Sequence, residues 1–60
     1  MTIRKNAVIC RHCNGIIEST FRDDMVTCEC GRVTIEGGHE ILIRHSYSPE
    51  DYEDISILED

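Results

Sequence analysis

Two close pairs of thiols, Cys10-x-x-Cys13 and Cys28-x-Cys30-Gly31, lie fourteen residues apart in a chain of sixty. Each pair sits where a tight turn aims both sulfurs the same way and offers them backbone N–H groups. If the pairs meet, four sulfurs surround one ion, and Zn²⁺ is the ion such a set selects best. The fourteen residues between them suffice for a hairpin that brings the second pair beside the first. Other readings of the thiols remain open on spacing alone. They are an imidazole from His39 or His45 replacing Cys30, a redox Cys-x-x-Cys, disulfides, and an iron site of rubredoxin or cluster type.

Size makes the metal matter. A chain this short buries only roughly 60% of the surface its unfolded form exposes. Its aromatic residues are Phe21, Tyr47 and Tyr52, with no Trp. Domains of this kind need a disulfide, a metal or a partner subunit. Structural zinc in small peptides supplies roughly 10–16 kcal/mol of apparent binding energy, and that energy is also folding energy. One domain spanning residues 1–60 is expected. Only Ala7-Val8-Ile9 separates the charged N-terminus from the first Cys, too short for a secretory signal, and no apolar run approaches a membrane span. The expected setting is the cytoplasm, where thiols stay reduced and available to metal.

Net charge is −6, and it is segregated. Arg4, Lys5, Arg11, Arg22, Arg32 and Arg44 are balanced up to residue 49 by Glu18, Asp23, Asp24, Glu29, Glu36 and Glu40. Glu50, Asp51, Glu53, Asp54, Glu59 and Asp60 follow with no base among them. An acidic chain poor in aromatics is badly suited to nucleic acid, which needs cations to displace phosphate counterions.

The local pattern is mainly β. Asn6–Ile9 reads as a strand entering the first knuckle, and Asn14-Gly15 lets the chain reverse. Ile16–Phe21 is a second strand, Arg22-Asp23-Asp24 a turn, and Met25–Thr27 the return to the second thiol pair. Arg32–Glu36 alternates as a half-buried strand. Gly37-Gly38 suits a two-residue hairpin turn, with His39–His45 returning as a strand. Ile41, Leu42 and Ile43 in succession imply cover on both faces, from the C-terminal segment or a second subunit. Ser48-Pro49-Glu50-Asp51 has the cap, the proline and the acids of a helix start. Tyr52, Ile55 and Leu58 would then form an apolar stripe on a short acidic helix over 49–60.

Four thiolates close a coordination sphere, leaving no position for water or substrate, so the expected single Zn²⁺ is structural and the protein is not an enzyme. His12, between two ligands, is expected to face solvent. His39 and His45 would share one face of a strand, with Glu40 near them, but no nucleophile accompanies them. The expected mode of action is protein–protein contact, through Ile41 and Ile43 on the hairpin strand and Glu50, Asp51, Glu53 and Asp54 on the acidic segment. The Ile41–Ile43 strand also offers a route to a homodimer. No small-molecule substrate and no membrane is expected as a partner. The alternative is a nucleic-acid-binding ribbon of transcription or translation, using Arg4, Lys5, Arg11 and Arg32.

The two knuckles and the segment between them resemble the zinc-ribbon group over residues 7 to 36. Small ribbons often carry Cys-x-x-Cys-Gly and Cys-x-Cys-Gly; here Gly31 fits the second, while Asn14 displaces Gly15 by one place in the first. Asn6–Cys10, Val26–Gly31, Gly37-Gly38 and Pro49–Tyr52 are similar to segments in a family of short uncharacterised proteins of bacteria and their phages. That resemblance implies a small zinc-stabilised, mainly β fold. The family implies no established activity, but phages commonly use such small proteins to bind and disable host machinery, including antiviral defences, and on that ground an inhibitor of a host defence protein is expected.

Overall fold

The computed structural model describes residues 2–60. Its frame is β1 (Thr2–Cys10), followed by β2 (Ile16–Ser19), β3 (Val26–Thr27), β4 (Thr34–Glu36) and β5 (Ile43–His45). A single 3₁₀ turn, Pro49–Asp51, leads into β6 (Tyr52–Asp54) and β7 (Ile57–Glu59). The strands form two antiparallel sheets, β2–β1–β6 with β7 also on β1, and β3–β4–β5. The architecture is thus small and mainly β. No helix among the described residues is long and apolar enough to cross a membrane.

β1 runs on both sides of the short strand expected at Asn6–Ile9 because it has partners along its whole length. β2 pairs with it from Asn6↔Ser19 to Ile9↔Ile16, and β6 from Val8↔Asp54 to Cys10↔Tyr52. β7 continues from Lys5↔Ile57 to Thr2↔Glu59 across a register shift. Covered in this way, Asn6, Ala7 and Val8 are all fully buried. The core joins the two sheets: Val8 and Cys10 from β1 meet Cys28, Val33 and Ile35 from the second hairpin, with Cys13, Ile17, Val26 and Tyr52 packed around them.

The C-terminal helix expected over 49–60 is not formed. Its start signals are real but last one turn: Ser48 Oγ accepts from Glu50 N–H, and the Asp51 carboxylate accepts from Ser48 N–H. Beyond Asp51 the segment turns to strand. An isolated helix shorter than about a dozen residues is marginal in water, and Glu59-Asp60 would sit at the unfavourable end of its dipole. The open edge of β1 offers an entire ladder of backbone partners instead. The expected stripe divides accordingly, with Tyr52 and Ile55 half-buried and Leu58 exposed.

Two further differences concern the hairpins. The segment between the thiol pairs does not fold on itself as one hairpin, because β2 joins β1 and β3 joins β4. Gly37-Gly38 is not a two-residue turn either; the loop runs to Leu42, so β5 holds only Ile43–His45. Both glycines have positive φ, 107° and 53°. The loop is pinned from inside by Asn6, whose amide donates to the carbonyls of Glu36, Gly38 and Ile41 at 3.2, 2.9 and 3.3 Å. Ile41 therefore lies in the loop and is exposed, while Leu42 and Ile43 are half-buried.

Candidate metal centre

Each thiol pair occupies the tip of its own hairpin, Cys10 and Cys13 between β1 and β2, Cys28 and Cys30 between β3 and β4. The two tips are built alike. In the first, Cys10 N–H donates to Gly15 O at 2.9 Å; in the second, Cys28 N–H donates to Val33 O at 2.9 Å, five residues on in both cases. Inside these loops Asn14 N–H returns to Cys10 O and Gly31 N–H to Cys28 O. The residue after the second cysteine has positive φ in both, 61° at Asn14 and 79° at Gly31. Asn is the non-glycine residue best able to sit there, so Asn14 does in the first tip what Gly31 does in the second, and Gly15 is not displaced from that role.

The geometry fits a tetrahedral ion. All four Sγ atoms lie within 4.8 Å of one another. Cys30 Sγ is 3.5 Å from Cys10 Sγ and 3.4 Å from Cys28 Sγ. Four sulfurs at about 2.3 Å from a common centre would stand about 3.8 Å apart. Disulfide sulfurs would be about 2 Å apart, so these are four free thiols converging on a point. Cys10 and Cys28 are buried, Cys13 is half-buried and Cys30 is exposed. A metal ion is the group such a donor set accommodates.

Electrostatics say the same. Burial pushes the Cys28 thiol up, but the N–H of Val33 and the thiols of Cys30 and Cys10 outweigh it and bring it down to about 6. Cys13 is lowered chiefly by the backbone N–H of Gly15 and of Cys30. At Cys30 the N–H of Arg32 favours the thiolate, yet burial and the three neighbouring sulfurs prevail and drive it up to about 12. The cluster ionises readily in part and resists ionising in full. A divalent cation at the centre removes that resistance.

The histidines are placed elsewhere. His39 is in the loop, with Nδ1 2.8 Å from Ile3 O, and His45 is on β5, with Nε2 3.2 Å from Glu36 Oε1. They do not share a strand face. His12, expected to face solvent, has Nε2 2.7 Å from Asp51 Oδ1 and its side chain 40% exposed. Asp51 is buried, and its other oxygen accepts from the N–H groups of Tyr47 and Ser48. The hydrogen bond from His12 is the main cause that lowers the Asp51 carboxyl. Together with Arg11 N–H to Asp51 O at 2.8 Å, this contact ties the first tip to the C-terminal segment.

The residues named for partner contact are scattered. Ile41, Glu50, Glu53 and Asp54 are exposed, Ile43 is half-buried and Asp51 is buried with its carboxylate engaged internally. Asp54 accepts from Arg44, which also donates to Asn6 and Ser56. That polar cluster, with Asn6 fully buried at its centre, was not visible in the sequence. Of the basic residues named for nucleic acid, Arg4 pairs with Glu59 and Arg11 donates to Tyr52 O, both in the C-terminal segment.

Comparisons with known proteins complete the description. Neither the curated proteins nor the solved structures returned a match. A family model does match, over residues 2–46, which takes in both hairpin tips and all four cysteines. On that match the chain belongs to the family described as Domain of unknown function (DUF7695).

Proposed function

We propose that the ion is a single structural Zn²⁺ and that the protein works by contact with another protein, without turnover. The observation carrying this reading is the closed set of four sulfurs within 4.8 Å, drawn from two similar hairpin tips. Four thiolates favour zinc among the divalent ions and leave it no open position for substrate. A reducing cytoplasmic setting suits thiols kept as ligands. The resemblance to zinc ribbons and to short phage proteins supports a more particular version, an inhibitor that docks on a host defence factor. Its contact surface would comprise Glu50 and Glu53 with the exposed Ile41, while Asp51 and Asp54 hold the acidic segment in place.

The test is affinity capture on metal-loaded protein, with and without Glu50→Lys and Glu53→Lys. The reading expects a stoichiometric protein partner that the reversals release. A captured complex indifferent to both reversals would move the contact surface elsewhere. Recovery of nucleic acid, lost as salt rises, would favour the alternative of a nucleic-acid-binding ribbon. That alternative is weakened by Arg4 and Arg11, which already serve the protein's own C-terminal segment.

A further inference from the structure

Beside the second hairpin tip lies a cleft of about 280 Å³ lined by Gly31, Arg32, Thr34, His45, Ser46 and Tyr47. Tyr47 is 89% exposed, more than any other exposed large apolar side chain described. Its backbone is nevertheless anchored: Tyr47 N–H donates to Asp51 Oδ2 at 3.1 Å, and Ser46 Oγ donates to Ser48 O at 2.8 Å. A fixed turn thus holds the ring largely in water, with the Arg32 cation over it.

Across the cleft, the Arg32 guanidinium stands 6.0 Å from the Tyr47 ring centroid. Flat groups in contact are about 3.5 Å apart, so a planar molecule between the two needs about 7 Å. The exposed Arg32 side chain can supply the missing ångström by a small rotation. Among the described residues no ion pair engages this guanidinium. The rest of the lining mixes apolar and polar surface, with Thr34 Oγ1 2.8 Å from Thr27 Oγ1 and His45 Nε2 turned to Glu36.

Which planar group fits? Thr34, His45 and Ser46 already have partners in Thr27, Glu36 and Ser48, so what the cleft leaves for a ligand is the Tyr47 ring and the Arg32 guanidinium. A nucleobase offers both a stacking face and edge acceptors, and aromatic rings and Arg planes are what unpaired bases stack on. The volume falls just below the roughly 300–1,000 Å³ of drug-sized pockets, enough for one ring system. The net charge of −6 disfavours a long polyanion but tolerates a single phosphate.

We infer that this cleft binds the base of a free mononucleotide, stacked between Tyr47 and Arg32. The inference is independent of the protein-contact reading, since neither Ile41 nor Glu50 nor Glu53 lines the cleft. Metal-loaded full-length protein is titrated with the 5′-monophosphates of adenosine, cytidine, guanosine and uridine, and separately with inorganic phosphate, following backbone amide shifts. At least one nucleotide should give saturable shifts confined to residues 31–34 and 45–47, with Kd of about 1 mM or tighter. Tyr47→Ala and Arg32→Ala should each weaken binding about tenfold, while Tyr47→Phe keeps the ring and the affinity. Both positions are exposed, so the remaining spectrum reports that the variants fold. Absence of saturation with all four nucleotides, the same shifts from phosphate alone, or undiminished binding by Tyr47→Ala would overturn it.

Discussion

Arg44 Nη1 donates to Asn6 Oδ1 at 2.7 Å, and this bond joins two sheets that share no strand. The Asn6 amide then spends its hydrogens on the loop carbonyls of Glu36, Gly38 and Ile41. The Arg44 guanidinium, with its side chain only 10% exposed, reaches onward to Asp54 and Ser56. One buried amide and one nearly buried cation thereby connect β1, the glycine loop, β5 and the C-terminal strands.

Asn6→Ala should therefore be among the most damaging substitutions outside the metal centre. It strands the guanidinium and the loop carbonyls together, and we expect a loss of about 2–4 kcal/mol. Urea unfolding of the metal-loaded protein measures it. A value within 0.5 kcal/mol or so of wild type would mean that water replaces the amide without penalty.

Metal removal should unfold the chain. The core that joins the sheets includes Cys10 and Cys28 themselves, so chelation under reducing conditions removes packing as well as ligation. Loss of amide dispersion on chelation, restored by one equivalent of Zn²⁺, is the expected outcome. Cobalt(II) should give the visible spectrum of a tetrahedral thiolate site. Serine at any of the four cysteines should cost at least tenfold in metal affinity.

Affinity for the ion should rise with pH. Cys28, held to about 6, is mostly ionised at neutrality, whereas Cys30, raised to about 12, keeps its proton until the metal displaces it. Binding thus releases protons, and lowering the pH works against it. Calorimetry in buffers of different ionisation enthalpy would reveal the release; identical heats in all buffers would contradict it.

Much of this centre was legible in the sequence, and the reason is local. Cys-x-x-Cys and Cys-x-Cys-Gly specify tight tips within a few residues, so which four thiols stand together follows from spacing. What escaped was every feature depending on distant partners. Asn6 and Arg44 are separated by thirty-eight positions, and no periodicity announces such a pair. The cap at Ser48 and Asp51 was read correctly for one turn. Whether Tyr52 onward continued as helix or strand was decided by the unpaired edge of β1, some forty residues away.

A separate acid effect should come from Asp54. Burial raises its carboxyl, but the hydrogen bonds from Arg44 and Ser56 prevail and hold it below the usual range. A carboxyl lowered in the folded state stabilises above its unfolded value of about 3.9, and that contribution disappears as pH falls through the lower folded value. Asp54→Asn should be less stable than wild type at pH 6, the gap narrowing below about pH 4. Because acid also releases the metal, the decisive comparison is made at pH 6, where both proteins stay loaded. Equal stability of the two proteins at pH 6 would count against the Arg44 pairing.

The glycines should differ in tolerance. A methyl at Gly38 would overlap the Phe21 backbone, whereas one at Gly31 meets nothing within 4 Å. Both have positive φ, so both alanine variants carry strain of about 1–2 kcal/mol. Only Gly38→Ala adds a backbone collision, and its melting temperature should fall well below that of Gly31→Ala.

Thr2 pairs with Glu59, so β1 must wait for nearly the whole length of this sequence to be translated before its ladder is complete. At roughly 5–20 residues per second, the delay is about 3–11 seconds. Throughout that interval the nascent strand has a bare edge and two ionisable thiols at its end, with the second pair of sulfurs arriving only midway. The ladder of β1 is thus completed only once Glu59 has been made, and a ribosome-bound fragment ending before residue 52 has no strand to offer that edge of β1.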